Sequence, residues 1–311
     1  MIIEKPDWPA MIGKLEKLFG ASYKRRIPIG YLNWRYFDNG QEQLLFALEI
    51  PDQDPVASYS AFPIDLKCNG KTCRTAMSMT TMTHPHWRGQ GLFQKLAAEL
   101  YLQAEALHIV AVWGFPNASS HPTFNDKLGW SDIYEIPTMT FDMAKSNTGK
   151  LFLSAEVQRD DEFSLDYPDS PMDGLIRVHR SKSYLEWRYS RNPINTYRNF
   201  VISREGKVSS YVVTKFYGDG IDLVDIQPAN PQEASTLLAH IAKLSLDKGV
   251  KQICCWAPTH HNVHGVLERL GFQNSSPITY FGGRELISSP ISPSWSNYKN
   301  WYIQMGDSDV Y

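Results

Sequence analysis

The chain has 311 residues, with 33 acidic side chains against 31 Lys and Arg, a formal net charge of −2 and a pI near 6.5. That balance excludes whole-chain electrostatic attraction to nucleic acid or an anionic membrane. Hydrophobic residues at 42% and aromatics at 13% exclude a disordered chain, and the length suits two cores of roughly 150 residues better than one.

No apolar run approaches the ~20 residues needed to span a bilayer, and the N-terminal stretch MIIEKPDWPAM has neither a basic nor a long apolar leader segment. The expected location is the cytoplasm. The cysteines are Cys68, Cys73, Cys254 and Cys255. Their spacing suits neither a zinc knuckle nor an ordinary disulfide between neighbours, so they are expected to be reduced and structural.

Residues 7–20 carry apolar side chains at helical spacing after Asp7 and Pro9, with Gly20 as the expected stop. A second helix is expected within 22–37, interrupted at Pro28. Strand signals follow at 43–49, 56–62 and 71–83, separated by the turn sequences PDQDP and CNGK. The third strand ends at His84-Pro85 and leads through a short loop holding Gly89 and Gly91 into an apolar-periodic helix over 92–107. A buried strand (108–113), a short helix entered through Asn117-Ala118-Ser119-Ser120 and closed by Gly129, and a strand over 134–143 complete this half. Between 144 and 174 turn residues dominate.

The second half repeats the first. Tyr184-Leu185-Glu186-Trp187-Arg188-Tyr189 echoes Tyr31-Leu32-Asn33-Trp34-Arg35-Tyr36, and the same order of elements follows. Strands are expected at 199–203, 207–216 and 221–226, a helix at 231–248, a strand at 252–257 and a short helix ending in Leu270-Gly271-Phe272, the counterpart of Leu128-Gly129-Trp130. At the strand-to-helix junction the halves differ. The first reads HPHWRGQGLF; the second reads QPANPQEAST, without glycine and with Glu233 near the helix start.

A strand, a glycine-bearing turn and a helix start point unfinished backbone N–H groups, together with the positive end of the helix dipole, at whatever lies in front. Residues 75–96 are therefore a candidate anion site, most naturally for phosphate. The pair Trp34-Arg35 can stack and bond a substrate, but its retention as Trp187-Arg188 in the half without the glycine loop favours a structural role. His260 and His264 have the i, i+4 spacing of a zinc pair, without a third ligand or a Glu in the His-Glu-x-x-His arrangement; no metal is expected.

The segment His86-Trp87-Arg88-Gly89-Gln90-Gly91 resembles the Q/R-x-x-G-x-G/A motif of the GNAT N-acetyltransferase superfamily, and Asn117 with Leu128-Gly129-Trp130 resembles its second signature. The twin Tyr-Leu-x-Trp-Arg segments and the ending around 301–309 look like a bacterial subgroup with tandem GNAT domains. The resemblance implies an α/β (α+β mixed) fold of two tandem GNAT-like domains, each a mostly antiparallel, twisted mixed sheet flanked by helices. Residues 1–148 would carry the acetyl-CoA loop and 149–311 a degenerate copy. It further implies acetyl-CoA as acyl donor, with the pantetheine arm against the backbone of Met82, Thr83 and His84. The pyrophosphate would lie on Arg88, Gly89, Gln90, Gly91, Leu92 and Phe93, and Asn117 near the thiol-proximal arm. Asn117 reads equally as a helix cap.

The sequence departs from the family at His86, where Gln or Arg is usual, and at Asn125, which stands where the family's general acid, a tyrosine, is expected. An amide cannot protonate a thiolate. Nearby titratable candidates are His84, His121 and Glu49, and the sequence does not choose among them. The expected activity is acetyl transfer to an amine of a small molecule, such as an amino sugar, with neither nucleic acid nor membrane as partner. The alternatives are a non-catalytic CoA-binding or scaffold protein and a tRNA-dependent aminoacyl transferase.

Overall fold

The structure is a computed structural model and describes residues 2–4, 8–38, 44–48, 54–145, 154–167 and 174–311. In chain order the elements are β1 (Ile2–Glu4), α1 (Trp8–Tyr23), α2 (Ile29–Tyr36), β2 (Leu44–Leu48), β3 (Ala57–Cys68), β4 (Lys71–Thr83), α3 (Leu92–Ala106), β5 (Ala111–Gly114), α4 (His121–Leu128) and β6 (Ser131–Asp142). There follow β7 (Gln158–Arg159), β8 (Arg177–Val178), α5 (Lys182–Leu185) with a π-helical turn at Glu186–Ser190, β9 (Tyr197–Arg204), β10 (Lys207–Tyr217), β11 (Gly220–Gln227), α6 (Pro231–Asp247), β12 (Gln252–Trp256), α7 (Asn262–Leu270), β13 (Gln273–Glu285) and α8 (Ser292–Trp295). The chain divides into two compact units. Unit 1 comprises Met1–Lys67, Lys71–Tyr134 and Tyr280–Ser296; unit 2 comprises Cys68–Gly70, Glu135–Thr279 and Asn297–Tyr311.

In unit 1, β1, β2, β3 and β4 are neighbours in that order, β5 joins β4 in parallel, and the end of β13 joins β5 antiparallel with Gly282 opposite Gly114. α1 buries Met11, Ile12, Leu15, Leu18 and Phe19, a stripe at helical spacing. It runs past the expected stop at Gly20, because the left-handed residue that ends it is Lys24 at φ 55°, whose N–H bonds Gly20 O. The second helix, expected within 22–37 with an interruption at Pro28, starts only after that residue: Pro28 is the N-cap of α2, and residues 22–23 belong to α1. α3 turns Leu96, Ala97, Leu100, Tyr101 and Ala104 onto Ala76 and Val112 of the sheet. Full burial of a leucine such as Leu96 or Leu100 is worth about 2 kcal/mol.

Unit 2 has the same order. β11 and β12 pair in parallel, β9, β10 and β11 form an antiparallel meander with β7 at its edge, and the later part of β6 pairs with β12. Its core gathers Leu223, Ile253 and Cys255 of the sheet beneath Leu237, Leu238 and Ile241 of α6 and Val263 and Leu267 of α7. The fold class read from the sequence is the one observed. Missing from that reading is β13, which no repeat signal marks and whose later residues belong to unit 1.

Candidate active site

β4 and β5 pair only at Ala76 with Val112 and Met77 with Trp113. At Gly114 a Cβ would lie 3.1 Å from Ser78 O, so the backbones still touch there. β5 then ends, while β4 continues to Thr83. Inside that continuation Thr80 has φ 46°, a left-handed conformation that is costly for a β-branched residue. Beyond it, His84 N–H bonds Val56 O at 2.8 Å, so the alternation of a strand turns the polar groups of Thr81 and Thr83 away from β3. Side chains meet them there: Tyr23 Oη donates to Thr81 O at 2.6 Å and Arg88 Nε to Thr83 O at 3.2 Å. The edge that opens beyond β5 is thus a row of backbone groups able to pair with an extended ligand.

The loop continues from that edge. Pro85–Trp87 form a 3-10 turn, then Gly89 (φ 77°) and Gly91 (φ 72°) take left-handed conformations, and Gly91 is the N-cap of α3. A Cβ at Gly89 would meet nothing within 4 Å, so the space in front of it is open. The first helical bond here is Lys95 N–H to Gly91 O, which leaves the amides of Leu92, Phe93 and Gln94 without helical partners. The first turn holds no acidic residue. Unpaired amides, a helix dipole and no competing carboxylate fit a diphosphate.

Residues 3–133 match the family model of the acetyltransferase (GNAT) domain. Over these residues the chain is similar to GNAT acetyltransferase domains. Among solved structures, a conserved protein of unknown function from Enterococcus faecalis V583, described as a probable N-acyltransferase, has a TM-score of 0.71 at 12% identity, covering 92% of this chain and 72% of its own. A GCN5-related N-acetyltransferase from Anabaena variabilis has a TM-score of 0.69 at 10% identity, covering 92% and 73%. The N-myristoyltransferase of Saccharomyces cerevisiae with bound myristoyl-CoA has a TM-score of 0.61 at 12% identity, covering 97% and 83%. At these identities the likeness establishes the fold. Comparison with curated protein sequences returned no match.

Within the matched segment, the residues read from sequence take distinct places. Of Met82, Thr83 and His84, the alternation presents Thr83 to the opening and turns the other two toward β3; Thr81, which the sequence reading passed over, joins Thr83. The Arg88 guanidinium folds back and bridges Thr83 O and Ser22 O rather than facing the loop. Gly89, Gln90 and Gly91 are exposed. The Phe93 ring packs edge-on to Tyr59 and Phe124, so only its amide belongs to the loop. Asn117 Oδ1 accepts from the N–H groups of Ser119 and Ser120 at 2.9 and 3.0 Å, the capping geometry. His84 sits where β4 ends, its Nδ1 facing His86 N–H at 3.4 Å. His121 opens α4 and pairs with Asp132. Glu49 lies outside the described residues.

The Trp-Arg pairs are fixtures of the fold. Arg35 is buried and donates to Tyr31 Oη and Met79 Sδ; Arg188 is buried and donates to Gly306 O and Ser308 O. His264 Nδ1 faces Ala257 O at 2.6 Å and its Nε2 faces Glu268, while His260 precedes α7 and faces Trp301 O. The two rings therefore do not converge as a zinc pair.

In unit 2 the corresponding junction is closed. β11 runs past its last pairing with β12, Leu223 with Cys255, but here residues 301–311 lie against its end. Gln304 bonds both the N–H and the C=O of Ile226, and Tyr302 Oη also donates to Ile226 O. Arg180 bridges Asp225 and Asp307 at 2.7 and 2.8 Å in full burial. At the start of α6, Asn230 Oδ1 caps Glu233 N–H at 2.9 Å. Burial pushes the Glu233 carboxyl upward, but hydrogen bonds from Ser210, Ser209 and Arg204 outweigh it and hold the group below its ordinary range. The first turn of α6 thus holds a carboxylate, where that of α3 holds none.

Proposed function

We propose that the protein transfers an acyl group from an acyl-CoA to a primary amine of a small molecule, using the junction of β4 and α3. The observation that carries this reading is the continuation of β4 past the end of β5, followed directly by two left-handed glycines and an acid-free helix start. Thr81 and Thr83 offer backbone groups to the extended pantetheine arm, and the amides of 89–93 meet the pyrophosphate. Pantetheine pairing at Thr81 and Thr83 displaces Tyr23 and Arg88 from those carbonyls, which frees Arg88 to turn toward the phosphates. The thioester is then held near the kink at Thr80. A neutral amine attacks the carbonyl carbon, the C–S bond breaks, and the thiol leaves protonated. Proximity supplies much of the acceleration, and backbone N–H groups at the strand end stabilise the developing oxyanion.

Acetyl is the shortest acyl group such a site takes. The yeast N-myristoyltransferase, whose fold this chain shares, has myristoyl-CoA bound, so longer chains are included in the test. Amino sugars are the first acceptors to try. Unit 2 is read as a copy that binds no CoA, because its own residues 301–311 take the place of the ligand. Isothermal titration with acetyl-CoA and with myristoyl-CoA tests the reading. Binding of at least one donor at micromolar concentrations is expected, and absence of binding at millimolar concentrations overturns it. A mass-spectrometric screen of amino sugars, amino acids and polyamines for acylated products then separates an enzyme from a CoA-binding scaffold.

A further inference from the structure

Beyond Gly114, among the described residues, no strand stands between β4 and β13 in unit 1. β4 runs on to Thr83, while β13 arrives antiparallel through Tyr280 and reaches Gly282 opposite Gly114. With strands about 4.8 Å apart, a strand that ends between two others leaves two spacings, roughly 10 Å, and here Phe115, stacked on Phe281, fills only the start of it. That is room for one extended chain. One wall is the edge of β4 with Thr81 and Thr83. The other begins with Tyr280, which by alternation shares a face with Gly282, and through the register with Gly114 and Val112, the face that packs under α3 and α4.

His121, the first residue of α4, lies flat on Tyr280, with ring centroids 4.0 Å apart and planes 11° from parallel. Its Nε2 is 2.7 Å from Asp132 Oδ1. Asn125 Nδ2 donates to the other oxygen, Asp132 Oδ2, at 3.0 Å, and also lies 3.2 Å from His121 Nε2. A carboxylate only accepts, so Nε2 of the neutral ring carries the proton and Nδ1 keeps its lone pair. Among the described residues no hydrogen bond engages Nδ1, and the titratable groups that face the ring are Asp132 from β6 and Tyr280 from β13. The arrangement is an oriented imidazole with a carboxylate behind it, beside the opening.

We propose that His121 is the proton carrier of the acyl transfer, with Asp132, Asn125 and Tyr280 as its positioning residues. This rests on the acyl-transfer reading above. As the amine nitrogen bonds the thioester carbon, Nδ1 takes the proton that nitrogen sheds. The imidazolium is held by the Asp132 carboxylate, and when the C–S bond breaks the same proton passes from Nδ1 to sulfur. No other co-reactant is needed. The role fills the place that Asn125, an amide, leaves empty.

The test uses full-length protein labelled with 15N-histidine. In the wild type, NMR is expected to show His121 as the Nε2–H tautomer and its ring signals shifting on saturation with acetyl-CoA. An Nδ1–H tautomer, or signals unmoved by bound acetyl-CoA, overturns the proposal. Release of CoA thiol from acetyl-CoA is then followed with glucosamine, lysine and spermidine. His121→Gln is expected to lower kcat/KM about 100-fold and to abolish the limb of the pH profile on which activity rises, with acetyl-CoA affinity by calorimetry within about twofold of wild type. Asp132→Asn is expected to lower kcat/KM about tenfold with acetyl-CoA affinity within about twofold of wild type, since the ring loses the acceptor that orients it. A purely structural pair would change the melting temperature and leave the limb in place; that result, or an unaltered kcat/KM in His121→Gln, also overturns it. If wild-type protein does not bind acetyl-CoA, the acyl-transfer reading falls and this one with it. If it binds and His121→Gln turns over normally, only the role of His121 falls. If none of the amines is turned over, the response of the His121 ring to acetyl-CoA decides.

Discussion

At the end of β4 the chain turns through Gly89 and Gly91 into a helix whose first turn carries no acid, whereas at the end of β11 it turns through Pro228, Ala229 and Asn230 into a helix whose first turn holds Glu233. Beside β4 the backbone edge meets two side-chain donors, Tyr23 and Arg88; beside β11 it is sealed by Gln304 and Tyr302. The two junctions show that one fold carries an open strand-to-helix junction and a sealed one. A sheet with helices needs only apolar periodicity and turns. A ligand site needs backbone groups left open, and where they are not used for a ligand the chain must satisfy them itself.

Four substitutions sharpen or break that comparison. The largest effect is expected from Gly89→Glu, which places a like charge in the open space before the α3 amides and a side chain at φ 77°. Acetyl-CoA affinity should fall at least 100-fold by calorimetry, with a folded far-UV circular dichroism spectrum; unchanged affinity would remove the loop from the site. Next is Gly306→Ala in unit 2, where a Cβ would lie 2.9 Å from Val224 O and against the Tyr189 hydroxyl. Displacing the segment that seals β11 should cost about 3 kcal/mol in urea unfolding, and acetyl-CoA affinity should not change.

The third substitution concerns Asp222, whose carboxyl burial lifts to about 6 against the opposing pull of Lys215. A raised folded value means that the ionised form is penalised at pH 7 and that stability falls as pH rises from about 4 through 6. Asp222→Asn should therefore stabilise unit 2 by up to about 2 kcal/mol at pH 7, an advantage that closes as pH drops toward 4. A constant difference across that range would show the carboxyl is not the source. The smallest effect is expected for Asn117→Ala, which removes the cap from Ser119 and Ser120 and should lower the unfolding free energy by about 1 kcal/mol. Acetyl-CoA affinity within twofold of wild type would leave Asn117 as a cap alone; a tenfold loss would add a ligand contact.

Much of the candidate site was legible because its signals are local. Gly89 and Gly91 announce left-handed backbone, the apolar spacing from Leu92 announces the helix, and their adjacency announces the open amides. The partners of His121 were not legible. Asp132 lies 11 positions on and Tyr280 lies 159 positions on, and neither has a periodicity or motif that points to an imidazole. Thr80 was equally hidden, since nothing in a run of Met, Thr and Ser marks which residue will take a positive φ.

By itself the sequence determined the main run of helices and strands in both halves as far as α7, the repeat, the glycine loop in one and the acid-bearing helix start in the other, because turn chemistry, capping and hydrophobic period act over a few residues. Only the tertiary structure decided that Tyr280–Ser296 completes the first unit, that Gln304 and Tyr302 seal β11, and that an aspartate and a tyrosine orient His121. Those are pairings between segments far apart in the chain. They are selected by the need to satisfy strand edges and bury side chains once the sheets have formed, a need that no short stretch of sequence records.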